Sequence, residues 1–355
     1  MPRPSAITID LDALKHNAGV ARRLAGSAKL IAAVKADAYG HGLIPCSRAL
    51  EPVVSGLAVA VCEEAILLRE AGIQLPILVL DGPFDAIDIQ VINELELMSV
   101  VHSQEQLDLL LQTMDATALP SIWVKVDTGM HRLGFRPQDL PGVLKQLKDA
   151  PEVVVMSHFA NGESAGSALT RRQLDRWENL GLPGPEATSF ANSAGLMNGL
   201  ASTCDWARPG IMLYGAPDKN GQGHELLRPV MSFQSAVMAL RTVDAGETVG
   251  YGGRWQAHRA SRIATIPVGY GDGYPRSAKD GTPVLIGQQM CPLAGRVSMD
   301  MITVDVTDCH HCEIGTPVEL WGQTLPVNRV AEQADTIGYE LLTRMTGRVP
   351  RNWRQ

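Results

Sequence analysis

The chain lacks any surplus of positive charge: across 355 residues, 31 Lys and Arg stand against 38 Asp and Glu, a formal net charge of −7. With a pI near 5.7, that balance argues against nucleic acid or an anionic membrane as the main partner. No uncharged apolar run is long enough to span a bilayer. The opening residues, MPRPSAITIDLDALKHN, set Asp10 and Asp12 where a secretory signal needs an apolar stretch. A cytoplasmic protein is expected. The six cysteines, at 46, 62, 204, 291, 309 and 312, follow no regular spacing; in so long a chain without a signal they read as free thiols. Cys309-His310-His311-Cys312 looks superficially like a zinc motif. Neighbouring side chains in a strand point to opposite faces, and no second ligand pair lies nearby, so no metal is expected. Low-complexity segments are absent.

What is present is an alternation. From residue 11 to 227, short apolar runs (LIAAV, GLAVAV, PILVL, LMSVV, IWVKV, VVVMSHF, EATSFAN and a segment running into Arg208) are separated by amphipathic stretches such as EEAILLREAG and TRRQLDRWENLG. In SQEQLDLLLQTM, Leu107, Leu110 and Leu111 follow the spacing of one buried helical face, and Ser103 with Gln106 reads as a capping box. About eight strand-helix repeats predict a (β/α)8 TIM-type barrel. A doubly wound sheet is the rival, but no GxGxxG follows the first strand. From residue 228 to 355 the texture becomes short β-branched runs with turns between them and almost no helical periodicity before about 328, which predicts a C-terminal, mainly β-strand domain. ITIDL at 7–11 could join that sheet, so residues 1–10 are expected to add an N-terminal strand to it.

Lys35 is the most informative residue. It ends an apolar run, KLIAAV, and is followed by Asp37, Gly40 and Gly42, all turn-type residues. An amine is thereby held at the carboxyl end of a buried strand, where α/β barrels place their chemistry. An amine in such a dry mouth loses part of its preference for the charged form and can serve as nucleophile or base. An arbitrary strand-end lysine more often snorkels to solvent; the surrounding ten residues reverse that. Other polar residues sit at the ends of later strands, in KVDTGMHRLGF (125–135), SHF (157–159), ANSAG (191–195) and ARPGIMLYG (207–215). The Ser193 hydroxyl and the backbone amides around Gly210 and Ile211 are what a phosphate group needs at this rim.

The segment AVKADAYGHG (33–42) resembles the pyridoxal-phosphate attachment segment of bacterial alanine racemases, in which the lysine carries the cofactor. The likeness extends over nearly the whole chain, through the four blocks above and through VGYGGRW (249–255), IPVGYGDGYPR (266–276), GRVSMDM (295–301) and TIGYELL (336–342). One minor departure is Ser298, where some members carry cysteine. The resemblance implies a pyridoxal 5′-phosphate enzyme of fold type III that interconverts L- and D-alanine. Lys35 and Tyr251 would be the two catalytic bases. Inversion at Cα requires a proton to leave one face and another to return on the opposite face, which a single tethered lysine cannot easily serve. A tyrosine acting as a base near neutral pH needs a positive field nearby; the family arrangement offers one through His158, between Arg208 and the tyrosine.

By the same resemblance, Tyr39 and Tyr339 would join Ser193, Gly210 and Ile211 around the cofactor phosphate. Arg208 would face the pyridine nitrogen; an arginine keeps its proton, so the ring becomes a poorer electron sink and transamination is disfavoured. Arg132 and the Met299 amide would hold the substrate carboxylate, with Lys125 carbamylated to orient Arg132. Tyr270, Arg276, Asp300 and Arg351 would line the access route. In the family Tyr251, Tyr270, Met299 and Asp300 act on the other subunit's site, which implies a homodimer. Serine or broad-specificity racemases remain open, because substrate size depends on pocket shape. A fold-related amino-acid decarboxylase would need a site for a basic side chain and a cysteine-bearing loop, and neither is visible. The single-domain pyridoxal-phosphate-binding barrel lacks the Tyr251 block. Biosynthesis of D-alanine for peptidoglycan and alanine catabolism are equally compatible with the sequence.

Overall fold

Eight short parallel strands close on themselves: β2 (Lys29–Ala33), β3 (Gly56–Val59), β4 (Ile77–Val79), β5 (Met98–Val101), β6 (Ile122–Lys125), β7 (Val153–Met156), β8 (Ala187–Ser189) and β9 (Trp206–Ala207). The barrel is completed by β9 pairing back onto β2 through Lys29↔Trp206 and Leu30↔Ala207. This computed structural model describes residues 3–114, 121–182, 186–200, 203–217 and 224–355; Met1 and Pro2 of the expected N-terminal strand segment lie outside it. Each barrel strand coincides with an apolar run of the sequence. They are apolar on both faces because helices cover the outside and side chains fill the inside. The interior cluster includes Ile31, Leu78, Val100, Trp123, Val154 and Trp206, with the two indoles 5.7 Å apart.

The outer helices start where the sequence has capping residues. Asp10 accepts from the Ala13 amide at the head of Leu11–Ala25, and Ser103 accepts from the Gln106 amide at the head of Gln104–Thr113. The expected capping box is only half made. Gln106 turns its oxygen to the His102 amide and donates to the carbonyls of Asp81 and Pro83, tying two strand ends together instead. Leu107 and Leu110 are buried, and Leu111 packs at the edge of the same cluster.

The first strand, β1 (Ala6–Asp10), leaves the barrel. It lies in a six-stranded sheet with β10 (Met231–Ala236), β15 (Pro283–Ile286), β16 (Gln289–Pro292), β18 (Pro317–Trp321) and β19 (Arg351–Arg354), in the order β16-β15-β18-β10-β1-β19. Strands β11 (Ala239–Val243), β14 (Ser261–Ile266) and β17 (Ile302–Asp305) form a second sheet, and β12 (Thr248–Val249) pairs with β13 (Trp255–Gln256). Two short helices, Val327–Gln333 and Gly338–Thr343, return the chain toward the barrel mouth. Among the described residues no helix is long and apolar enough to cross a membrane, and no group of three or more His, Cys, Asp or Glu is arranged to hold a metal.

Candidate functional site

Directly after β2 and Lys35, the backbone makes a left-handed helical turn. Ala36, Asp37, Ala38 and Tyr39 all have φ between 51° and 54°. For L-residues this conformation costs about 1–2 kcal/mol each, so the turn carries roughly 4–8 kcal/mol of strain. The surroundings offset it. The Ala36 amide donates to Glu64 Oε1 at 2.6 Å, while the Ala60 amide binds the other oxygen at 2.8 Å. Asp37 Oδ1 accepts from the Leu43 amide at 2.7 Å. His41 Nδ1 lies 2.9 Å from the Tyr39 carbonyl and 3.1 Å from that of Ala38. Burial pushes the His41 pKa down to about 4, so the ring is neutral and Nδ1–H donates to those carbonyls. Backbone bonds from Ala38 to Val34 and from Gly42 to Asp37 complete the turn. At about 1.5–3 kcal/mol for each bond to a carboxylate and about 1 kcal/mol for the others, these contacts match the strain. The result presents Lys35 and Tyr39 to the same space.

That space is a cavity of about 930 Å³ at the carboxyl ends of the barrel strands. Lys35, Tyr39, Lys125, Arg132, His158, Ser193, Arg208, Gly210, Ile211 and Tyr339 all line it. Four of these are cations, against the two acids Asp81 and Glu340 on the same wall. Arg208 is 6% exposed; it donates to Ser189 Oγ and, at 2.5 Å, to the Ser157 carbonyl. No carboxylate pairs with it among the described residues. Burial lowers its pKa to about 10, which still leaves it charged at neutral pH. Lys125 is pushed down to about 8, first by burial and then by Arg132 and Arg208. Burial, followed by Arg208 and Lys125, holds His158 well below its ordinary value, so its imidazole is neutral; its Nε2 lies 3.5 Å from Asn192 Nδ2. A wall with excess positive charge, buried at Lys125 and Arg208, favours a guest that is itself anionic.

The phosphate-sized part of the wall is built from one hydroxyl and one glycine. Ser193 Oγ accepts from the Gly210 amide at 2.8 Å and the Met212 amide at 3.2 Å, leaving its proton for a further acceptor. A Cβ on Gly210 would stand 2.4 Å from Tyr39 Oη, so only glycine allows this approach. The Tyr39 ring stacks on Tyr214 at 4.8 Å and meets Tyr339 at 6.1 Å. These groups fit a phosphorylated ligand.

The remaining expected residues lie elsewhere. Tyr251, 72% exposed, and Met299, 51% exposed, stand on the β-domain outside the cavity lining. Asp300 and Arg276 are exposed too, and Tyr270 is half-buried. Arg351 reaches the Met345 carbonyl at 3.1 Å and comes within 4.0 Å of Asp37. Sequence reasoning missed Glu64, His41, Asp81 and His102. Asp81 and His102 line the cavity and each follows the end of a barrel strand, a placement that could have marked them. Glu64 is a helix-start acid whose contacts only barrel closure reveals.

Two family models match, the alanine racemase N-terminal domain over residues 9–218 and the alanine racemase C-terminal domain over 230–353. An alanine racemase of Chromohalobacter salexigens is 46% identical over 360 aligned residues, covering 100% of this chain and 99% of that protein. The crystal structure of biosynthetic alanine racemase from Pseudomonas aeruginosa superposes with a TM-score of 0.95 at 41% identity, over 99% of this chain and 100% of that one. The alanine racemase of Acinetobacter baumannii gives 0.93 at 38% identity, over 99% and 100%.

Proposed function

The chain belongs to the alanine racemase family and is an isomerase acting on amino acids, and on that premise we propose that it interconverts L- and D-alanine with pyridoxal 5′-phosphate held at Lys35 and with Lys35 and Tyr251 as its two bases. One observation carries the reading. Lys35, Arg132, His158 and Arg208 face one cavity, whereas Tyr251 stands exposed on the other domain. A site with one base inside and the second displayed outward is completed by a second copy of the chain. The working division is residues 11–227 for the cofactor-bearing barrel and 228–355, joined by 1–10, for the domain that supplies Tyr251. The setting is cytoplasmic, with the enzyme supplying D-alanine for peptidoglycan or serving alanine catabolism.

Pyridoxal phosphate, when bound, supplies an electron-withdrawing ring that acidifies the Cα proton of an attached amino acid. The protein does the rest. Ser193, Tyr39, Tyr339 and the amides at Gly210 and Ile211 would hold the cofactor's phosphate. Arg208 would face the ring nitrogen; even at about 10 its pKa far exceeds that of a pyridinium, so it would keep its proton. Arg132 and the Met299 amide orient the carboxylate. Lys35 Nζ takes or returns the proton on the D-alanine side, and Tyr251 Oη does so on the L-alanine side. Among the cations of this wall, a carbamate on Lys125 would replace a crowded positive charge by a negative one facing Arg132. Tyr270, Arg276, Asp300 and Arg351 line the way in.

Chiral analysis of the products from a panel of L-amino acids tests the reading. D-alanine should form fastest. Preferential formation of D-serine would move the assignment to a serine racemase, and an amine with loss of CO2 would replace it by a decarboxylase.

A further inference from the structure

Two surface loops of the β-domain are joined more firmly than their exposure suggests. The Tyr270 amide donates to the Ser298 carbonyl at 3.0 Å and the Gly271 amide to the Met299 carbonyl at 2.9 Å. Beneath them lies Asp272, fully buried. Its carboxylate accepts from Arg3 at 2.7 and 3.1 Å and from the Gly269 amide at 3.0 Å. Arg348 approaches the same carboxylate with Nε at 3.6 Å and extends Nη2 to Asp300 at 2.6 Å. One guanidinium therefore bridges the buried acid under the first loop and the exposed acid at the tip of the second. The fit is tight: a Cβ on Gly271 would stand 2.3 Å from Arg348 Nη1 and 3.1 Å from the Met299 carbonyl. Thr346, two residues before Arg348, adds a hydrogen bond from its hydroxyl to the Gly271 carbonyl at 2.9 Å.

We infer that Arg348 is a positioning residue for substrate binding, bridging Asp272 and Asp300 so that Tyr270 and the Met299 amide are presented as one preformed unit to the partner subunit's site. This rests on the reading that Met299 and Tyr270 serve that site. An isolated exposed ion pair contributes little, but here one end is a buried carboxylate whose other ligands are fixed. The bridge therefore sets geometry at a loop tip, and a misplaced binding group is felt in substrate affinity before chemistry.

The experiment compares full-length Arg348→Ala, Arg348→Lys and Arg348→Gln with wild type, and with Arg259→Ala, which breaks a fully surface pair with Asp308 (2.6 Å). KM and kcat for alanine are measured alongside sedimentation at the assay concentration. Arg348→Ala should raise KM about tenfold while kcat changes less than about threefold and the oligomer persists, the signature of lost binding rather than lost chemistry. Arg348→Lys should recover part of the KM, and Arg259→Ala should match wild type. A wild-type KM in Arg348→Ala overturns the inference, as does a loss of activity that merely follows loss of fold or assembly and that lysine does not relieve. Should Arg348→Ala not fold, Arg348→Gln keeps most of the side chain's reach but removes its charge; a raised KM there supports the inference and an unchanged one overturns it. A Tyr251→Phe control that keeps full activity would instead sink the shared-site reading itself.

Discussion

Replacing Lys125 by methionine should stabilise the protein at neutral pH in buffer stripped of CO2, an outcome opposite to that of most core substitutions. Lys125 is 9% exposed, and burial together with Arg132 and Arg208 lowers its pKa from 10.5 to about 8. Below pH 8 the amine is charged in both folded and unfolded chains, and the folded chain bears the full penalty. Between about 8 and 10.5 the folded chain sheds the proton while the unfolded chain retains it, so stability rises with pH. Above 10.5 the penalty is gone. The distance between the two values corresponds to about 3 kcal/mol. Methionine fills a similar volume and carries no charge, so the gap between variant and wild type should approach about 3 kcal/mol at pH 7 and close across that window. Urea midpoints followed by circular dichroism over the pH range read it directly, because other titrations cancel in the difference. Added bicarbonate should narrow or reverse the gap, since a carbamate gives Arg132 an anionic neighbour. A gap that ignores pH between 7 and 10.5 would refute the argument.

Further expectations concern the attachment turn and the bases. Borohydride reduction of the holoenzyme should fix the cofactor on the Lys35 peptide; its recovery on Lys125 would end that assignment. Ala36→Gly should be neutral or slightly stabilising, because relief of about 1–2 kcal/mol of left-handed strain outweighs or balances glycine's entropy of about 0.5–1 kcal/mol; a loss of 1 kcal/mol or more in thermal unfolding, as in a right-handed helix, would contradict the turn. Tyr251→Phe should lower racemisation by about 10²–10⁴-fold. In heavy water it should slow α-proton exchange of L-alanine more than that of D-alanine, and equal slowing would speak against the assigned faces.

The barrel was legible because its strands are buried on both sides. GLAV at Gly56–Val59 and IWVK at Ile122–Lys125 have no exposed position, so they stand out as unbroken apolar runs. The turn after Lys35 was legible only as a break. Little in Ala36-Asp37-Ala38-Tyr39 calls for a positive φ, and alanine ordinarily favours the right-handed helix; the conformation is held by contacts reaching beyond the turn, from Glu64 and His41 and between the Asp37 carboxylate and the Leu43 amide. Gln106 illustrates the same limit, since its spacing suits a capping box while its side chain serves the strand ends at Asp81 and Pro83 instead. The cavity residues quoted in motifs meet at one mouth. Asp81, His102 and the Arg348 bridge depend on closure of the barrel and on pairings far apart in the chain, which local pattern does not carry.

The most direct test of the proposed two-base site, shared between subunits, mixes two impaired proteins, Lys35→Ala and Tyr251→Phe, under conditions where subunit exchange is verified with labelled chains. In a mixed dimer one site receives both lesions and the other receives neither. Racemisation of alanine should return, approaching one intact site for each mixed dimer. Verified exchange with no recovery of activity would contradict the account.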